Sequence, residues 1–209
     1  MGTGPVAIAS AQDAGTPSTL PGESDTSQPC FDGRLRVRDL EAADDSMKGG
    51  IDRITQLAKE WEEDARLFAL RLGCPLLETG YQWEGTYFSE SAQAFYGTDT
   101  AEIQAAEDNP ETIPTLETKS LSILSVYRSL LRAGYAEDSL LGAVGGVTIR
   151  QSTEAQRFGP PTAPVGDIYY HVAVLDRGEV IDVWIAASDG TPYRYEMETR
   201  TSPQGGVPA

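Results

Sequence analysis

The sequence predicts an α+β fold built from two halves, each a helix followed by an antiparallel meander. Three observations predict it. Apolar residues recur at helical spacing in residues 44–61 and again in 115–135. Apolar and polar residues alternate in the runs that follow each helix, and short turns rich in glycine or polar residues separate those runs. The repeated order favours an internal duplication.

The first half is predicted to span residues 41–100. Its helix carries one apolar stripe, formed by Ile51, Ile54, Leu57, Ala58 and Trp61. Residues 65–73 either alternate as a strand or continue as a helix, and periodicity alone does not decide between the two. The aromatic-rich runs 81–90 and 91–99 meet at a polar Ser-Glu-Ser and predict a hairpin.

The second half is predicted to span residues 119–200, after an acidic connector at 101–118. Thr118 is the expected N-cap of its helix, and Gly134 the expected C-terminal stop. The remaining segments are an apolar strand, a proline-rich excursion and three strands joined by glycine turns, at 136–152, 158–167, 168–178, 179–190 and 191–199.

The two ends of the chain are predicted to lie outside the folded halves. Residues 1–40 read as a signal-peptide remnant and a disordered or extended linker, and 201–209 as a flexible tail. Ala9-Ser10-Ala11 fits a signal-peptidase site, although an accidental run of small residues stays open. The pattern favours a secreted, periplasmic or cell-envelope location. In such a compartment Cys30 and Cys74 would pair in a disulfide; two unrelated buried thiols are the alternative.

Charge excludes several partners. The chain has 32 acidic and 16 basic residues, a net charge of −16, and this field repels nucleic acid and anionic lipid surfaces. The longest apolar run, residues 140–149, is far shorter than the roughly 20 residues that span a bilayer, so no membrane insertion is expected. Residues 41–118 hold a net charge of −12, so an electrostatic protein partner should be cationic. The sequence does not fix the oligomeric state.

Residue counts argue against cofactor, metal and nucleophilic chemistry. One histidine and two cysteines are too few for a zinc, haem or iron–sulfur site, and no phosphate or dinucleotide loop is present. His171 lies in an alternating strand pattern, and the acids at 60–64 are typical of a solvated helix end. We therefore expect no catalytic residue, cofactor or metal. Aromatic residues are either core or a possible ligand surface: Tyr81, Trp83, Tyr87 and Trp184.

A family resemblance rests mainly on residues 169–196. Their Y-x-V-x-V run, glycine turn, V-x-V run and D-G-T-x-Y-x-Y-E order resemble the closing hairpin of PepSY domains, and residues 51–99 resemble them more loosely. The resemblance implies an exported, non-catalytic bacterial module with a binding or inhibitory role. Two alternatives remain: a secreted hydrolase that uses paired carboxylates, and an assembly subunit whose N-terminal tail orders against a neighbour.

Overall fold

The protein forms one antiparallel sheet covered by helices. The computed structural model describes residues 37–73, 83–107, 109–136 and 144–195, and everything below refers to these ranges. The elements are α1 (Val37–Trp61), β1 (Arg66–Leu72), β2 (Trp83–Ser89), β3 (Ala94–Gly97), β4 (Ile103–Ala105), a 3₁₀ turn (Pro110–Thr112), α2 (Ile123–Arg132), β5 (Val144–Gln151), β6 (Ile168–Asp176), β7 (Glu179–Ala186) and β8 (Pro192–Tyr193). The predicted α+β class is confirmed.

The strand order places the two predicted halves side by side in a single sheet. The order is β4-β3-β2-β1-β5-β6-β7-β8, and every neighbouring pair is antiparallel. Strands β1 and β5 join the halves at the centre, where Leu70 faces Ile149. Each half therefore contributes one helix and four strands, and the halves share their hydrogen-bond ladder.

Both helices pack on the same face of the sheet and form the main core with it. The buried stripe of α1 has the three- and four-residue spacing of an amphipathic helix, at Leu40, Ala43, Met47, Ile54 and Ala58. Gly50 lies within this stripe against the indole of Trp83, where an added Cβ would come within 2.4 Å of the ring. Helix and sheet therefore meet closely at that point, and the indole Nε1 of Trp83 donates to the Ser46 hydroxyl at 3.0 Å.

A carboxylate of α1 completes the N-terminus of α2. Asp44 accepts hydrogen bonds from the amides of Ile123 and Leu124 and from the Ser122 hydroxyl, the last at 2.6 Å. The first amides of a helix have no partner within it, so these bonds satisfy groups that would otherwise need water. The Ser122 amide donates to the Tyr170 hydroxyl at 2.8 Å, which ties the same point to β6.

Two loops cover parts of the sheet face that the helices leave open. Ala106 and Ile113, from the segment that follows β4, pack against Phe68 and Phe88, and Ile113 is fully buried. The proline-rich residues 153–167 pack on Tyr169 and Trp184. The predicted connector and excursion are therefore packed parts of the fold.

Three predicted boundaries differ from the structure. Helix α1 begins at Val37, inside the predicted linker, because Leu40 joins the buried stripe. The N-cap of α2 is Ser122 rather than Thr118, since the Ser122 hydroxyl accepts the Ser125 amide. The predicted connector contains β4, and of the two alternatives for residues 65–73 the structure has the strand, β1. Gly134 has a φ of 88° directly after α2, which confirms the predicted stop.

Candidate functional site

The aromatic residues considered as a ligand surface are divided between the core and the opposite sheet face. Trp83 and Tyr87 are 2% and 1% exposed and point toward α1, where the Tyr87 hydroxyl bonds Thr55 at 2.7 Å. Burial raises the pKa of Tyr87 to about 12. Trp184 is 8% exposed and lies on the other face. Tyr81 lies outside the described residues, as do Cys30 and Cys74.

His171 makes a polar contact that the sequence did not reveal. Its Nε2 lies 2.8 Å from Oδ1 of Asp182, and its ring packs on Trp184 with centroids 4.6 Å apart. The pairing follows from the hairpin register, in which His171 faces Trp184 and Asp182 is the diagonal neighbour. Within the described residues, the Trp184 ring and the Asp182 carboxylate are therefore structural contacts of this partly buried histidine.

Several acidic residues of the first half lie between the end of α1 and the β2–β3 turn. Trp61 at the end of α1 stacks on Tyr96 of β3, with ring centroids 5.3 Å apart. The helix end therefore lies beside β3, and the acids that follow it come close to the β2–β3 turn. Four exposed acidic side chains lie around that turn or the helix end, Glu60, Glu63, Asp64 and Glu90.

Asp64 shows how tightly the helix end and the turn are joined. Its carboxylate accepts from the Ser89 hydroxyl at 2.7 Å, the Ser91 amide at 2.8 Å and the Ser91 hydroxyl at 2.9 Å. These bonds, led by the one from Ser89, lower the pKa of Asp64 to about 2. The carboxylate is therefore ionised at any physiological pH and holds this corner of the surface in a fixed shape.

Strand β4 is an open edge next to these acids. All three of its residues are exposed, and Ile103 is 59% exposed, which is unusual for a large apolar side chain. The Glu102 carbonyl and the Ala106 amide bond the β3 side. By the alternation of an antiparallel ladder, the amides and carbonyls of Ile103 and Ala105 point away from β3. An apolar side chain and outward backbone groups thus occur together on one edge.

A small cleft over the central strands β1 and β2 contains carboxylates. Its volume is about 110 Å³, and Glu84, Asp99 and Arg71 line it. Arg71 Nη1 donates to Glu84 at 3.2 Å. Burial raises the pKa of Glu84, the guanidinium of Arg71 opposes this effect, and the charge of Asp99 adds to it. Two carboxyl groups in one cleft, one of them half-buried, are the minimum that acid–base hydrolysis requires.

The comparisons with known proteins give no family for this chain. No family model matches the sequence, and no curated protein or solved structure matches it. Neither helix of the described residues has an apolar stretch long enough to cross a membrane. Within the same ranges, no group of three or more His, Cys, Asp or Glu side chains is arranged to hold a metal ion. The described part of the chain is an α+β protein whose sheet has an exposed edge at β4 with acidic side chains near it.

Proposed function

We propose that the chain is an exported, non-catalytic binding module that holds an extended basic segment of a partner protein along β4. The observation that carries the proposal is the exposure of β4, whose apolar Ile103 and outward backbone groups lie among acidic side chains. This role agrees with the binding or inhibitory function that the resemblance to PepSY domains implies.

The backbone of β4 supplies the general part of the interaction. A sheet edge with outward amides and carbonyls is a template for one more strand, and extended peptides bind many domains by this route. Proteins usually protect such edges with lysine, proline or a covering loop. Ile103, Gln104 and Ala105 provide none of these.

The side chains supply the specific part. Ile103 offers an apolar anchor on one side of the added strand. Exposed acids lie close to it in sequence and in the neighbouring turn, Asp99, Glu102 and Glu107. Residues 41–118 carry 17 acids against 5 bases, so a basic segment is attracted and an acidic one is repelled.

The test uses a short synthetic peptide of alternating lysine and valine and measures its affinity calorimetrically. Ile103→Lys should weaken binding roughly tenfold or more, about 1.4 kcal/mol, because the apolar anchor is lost and a positive charge is added. Val180→Lys is the matched control, since Val180 is also 59% exposed but lies on β7, far along the sheet. Equal effects of the two variants would contradict the proposal.

Ionic strength provides a second arm of this test. Exposed charges are screened beyond about 8 Å at physiological salt, so the affinity should fall as salt rises. An affinity that stays flat from low to high salt would exclude the acidic surface. Self-association of the chain in place of peptide binding would identify a second copy as the occupant of β4, and it would overturn the basic-segment proposal.

The exported location is part of the proposal and has its own test. In an oxidising compartment Cys30 and Cys74 pair in a disulfide. Thiol titration of the denatured, unreduced protein should find no free thiol. Finding two free thiols would show that Cys30 and Cys74 do not pair, and it would count against an exported location.

A second candidate function is hydrolysis by paired carboxylates, favoured by the shared cleft of Glu84 and Asp99. It ranks second because the cleft is about 110 Å³ and small-molecule sites usually exceed roughly 300 Å³. The ion pair with Arg71 also holds the Glu84 carboxylate. A substrate screen that finds a robust activity abolished by Glu84→Gln would promote this function over binding.

The internal duplication also belongs to the proposal. The strand order is symmetric about the β1–β5 pair, and each side has one helix and four strands in the same sequence order. This arrangement supports a duplicated helix-plus-meander unit. In the assembly-subunit alternative, the N-terminal residues would dock on a neighbour, and their removal would then abolish oligomers.

A further inference from the structure

The far end of the sheet contains the largest of the clefts described here. It is about 320 Å³ in volume and lies between the residues that follow α2, the β6–β7 turn and β8. This volume is within the usual range of small-molecule sites, roughly 300–1,000 Å³. Tyr135 and Tyr193 give it an aromatic lining, and Arg177 and Arg194 enter it from two different elements.

The two arginines have no partner in the described part of the chain. Neither guanidinium makes a hydrogen bond or an ion pair there, although acids outnumber bases two to one in the whole sequence. Arg132, nearby on α2, differs because it donates to the Ser129 hydroxyl at 3.0 Å. Both side chains are exposed, and two guanidinium groups that line one cleft without a protein partner are free to bind an oxyanion together.

The backbone at Arg177 supports the same conclusion independently. Arg177 has a φ of 51° and Gly178 a φ of 87°, and these two residues form the entire loop between Asp176 and Glu179. Such two-residue loops favour Asn, Asp or Gly at the first position because other side chains are strained there. Strained residues in folded proteins cluster at functional sites. An arginine at this position therefore points to a use for its charge.

The charges of the lining select the kind of anion. Asp176 also lines the cleft, so within the described residues the charged groups of the lining, two arginines and one aspartate, sum to +1. This balance matches a singly charged carboxylate better than a multiply charged phosphate, and the planar guanidinium suits the geometry of a carboxylate. The tyrosines can cover an apolar body attached to it. We propose that this cleft binds a small organic monocarboxylate, with its carboxylate between Arg177 and Arg194 and its apolar part against Tyr135 and Tyr193.

The test titrates the full chain with benzoate and, separately, with inorganic phosphate, and follows amide chemical shifts. Benzoate should shift the residues of the cleft, and Arg194→Gln should weaken its binding at least tenfold. Arg177→Asn should weaken binding in the same way and also raise the melting temperature, because asparagine tolerates the positive φ. Weaker binding together with higher stability would show that Arg177 serves the ligand and not the fold.

Arg128→Asn is the matched control, since Arg128 is an exposed arginine on α2 that does not line the cleft. It should leave benzoate affinity unchanged. Equal losses of benzoate affinity in Arg177→Asn and Arg128→Asn would show that net charge alone causes the effect, and they would overturn the proposed site. Phosphate binding as tight as benzoate binding, or no shift in the cleft with benzoate, would also overturn the proposal.

Discussion

Adjacent glycines in α1 allow a direct measurement of how closely the helix approaches the sheet. Gly49 is exposed, and an added Cβ would meet nothing within 4 Å. Gly50 faces β2, and its added Cβ would lie 2.4, 2.7 and 2.9 Å from three atoms of Trp83. Both residues are inside the same helix, so alanine gains the same helix propensity at each position, about 1 kcal/mol. The difference between the two alanine variants therefore isolates the packing contribution.

The two substitutions should change the free energy of unfolding in opposite directions. Gly49→Ala should raise the free energy of unfolding by about 1 kcal/mol, which corresponds to a melting temperature roughly 2–4 °C higher for a chain of this size. Gly50→Ala adds a methyl group to a filled space, and overpacking costs about 1–3 kcal/mol. The propensity gain offsets part of that cost, so Gly50→Ala should lie about 1–3 kcal/mol below Gly49→Ala.

Urea unfolding followed by tryptophan fluorescence measures both variants under the same conditions. The slope of free energy against urea should stay constant, because neither change alters the surface exposed on unfolding. Trp83 should also show a changed emission in folded Gly50→Ala, since its ring must move. Equal stabilities for the two variants would refute the close approach of α1 to Trp83.

Three further predictions concern polar groups. Asp44→Ala should lower the free energy of unfolding by about 1–2 kcal/mol and speed amide exchange at the start of α2. The control is Asp45→Ala, at the exposed neighbouring residue, and its stability should stay within about 0.5 kcal/mol of that of the parent protein. The pKa of Asp64 is lowered to about 2 from 3.8, so its contribution is full above pH 3.8 and is lost as the pH falls through 2. Discounted for exposure, Asp64→Asn should cost about 1 kcal/mol at pH 7 and nothing near pH 2, with Glu63→Gln as a silent control in urea unfolding. The pKa of Tyr87 is raised to about 12 from 10, so stability should be full below pH 10 and fall above it, and Tyr87→Phe should remove up to about 1.4 kcal/mol per pH unit of that slope in alkaline denaturation.

The sequence predicted those helices and strands that have a clear hydrophobic period or end at a recognisable turn. The stripe through Ile54 and Ala58 identified α1, and Arg177-Gly178 identified the β6–β7 turn. Helix α1 was predicted to start too late because charged residues interrupt the apolar ones before residue 44, and only Leu40 and Ala43 continue the stripe there. Strand β4 has three residues among acids, too few for any period to show.

The candidate sites depend on contacts between distant residues, which composition and period do not contain. Arg177 and Arg194 meet only because β8 returns along β7 toward the β6–β7 turn. Glu84 and Asp99 share a cleft because the pairing of β2 with β3 continues past Gly97, where the Thr98 amide donates to the Gly85 carbonyl. The charge imbalance of residues 41–118 did predict an acidic surface, but only the strand order shows that it lies along an open edge.

The contact between Asp44 and α2 has a consequence for how the chain reaches its native state. The carboxylate and the Ile123 amide are separated by 79 positions, so this bond forms only after a long loop has closed. The β1–β5 ladder imposes the same order of events, since it also joins distant segments. A chain divided within residues 101–118 would leave an open strand edge on each fragment, at β1 and at β5, and uncapped amides at the start of α2. The protein should therefore unfold in one cooperative transition and refold slowly for its size, as proteins rich in non-local contacts do.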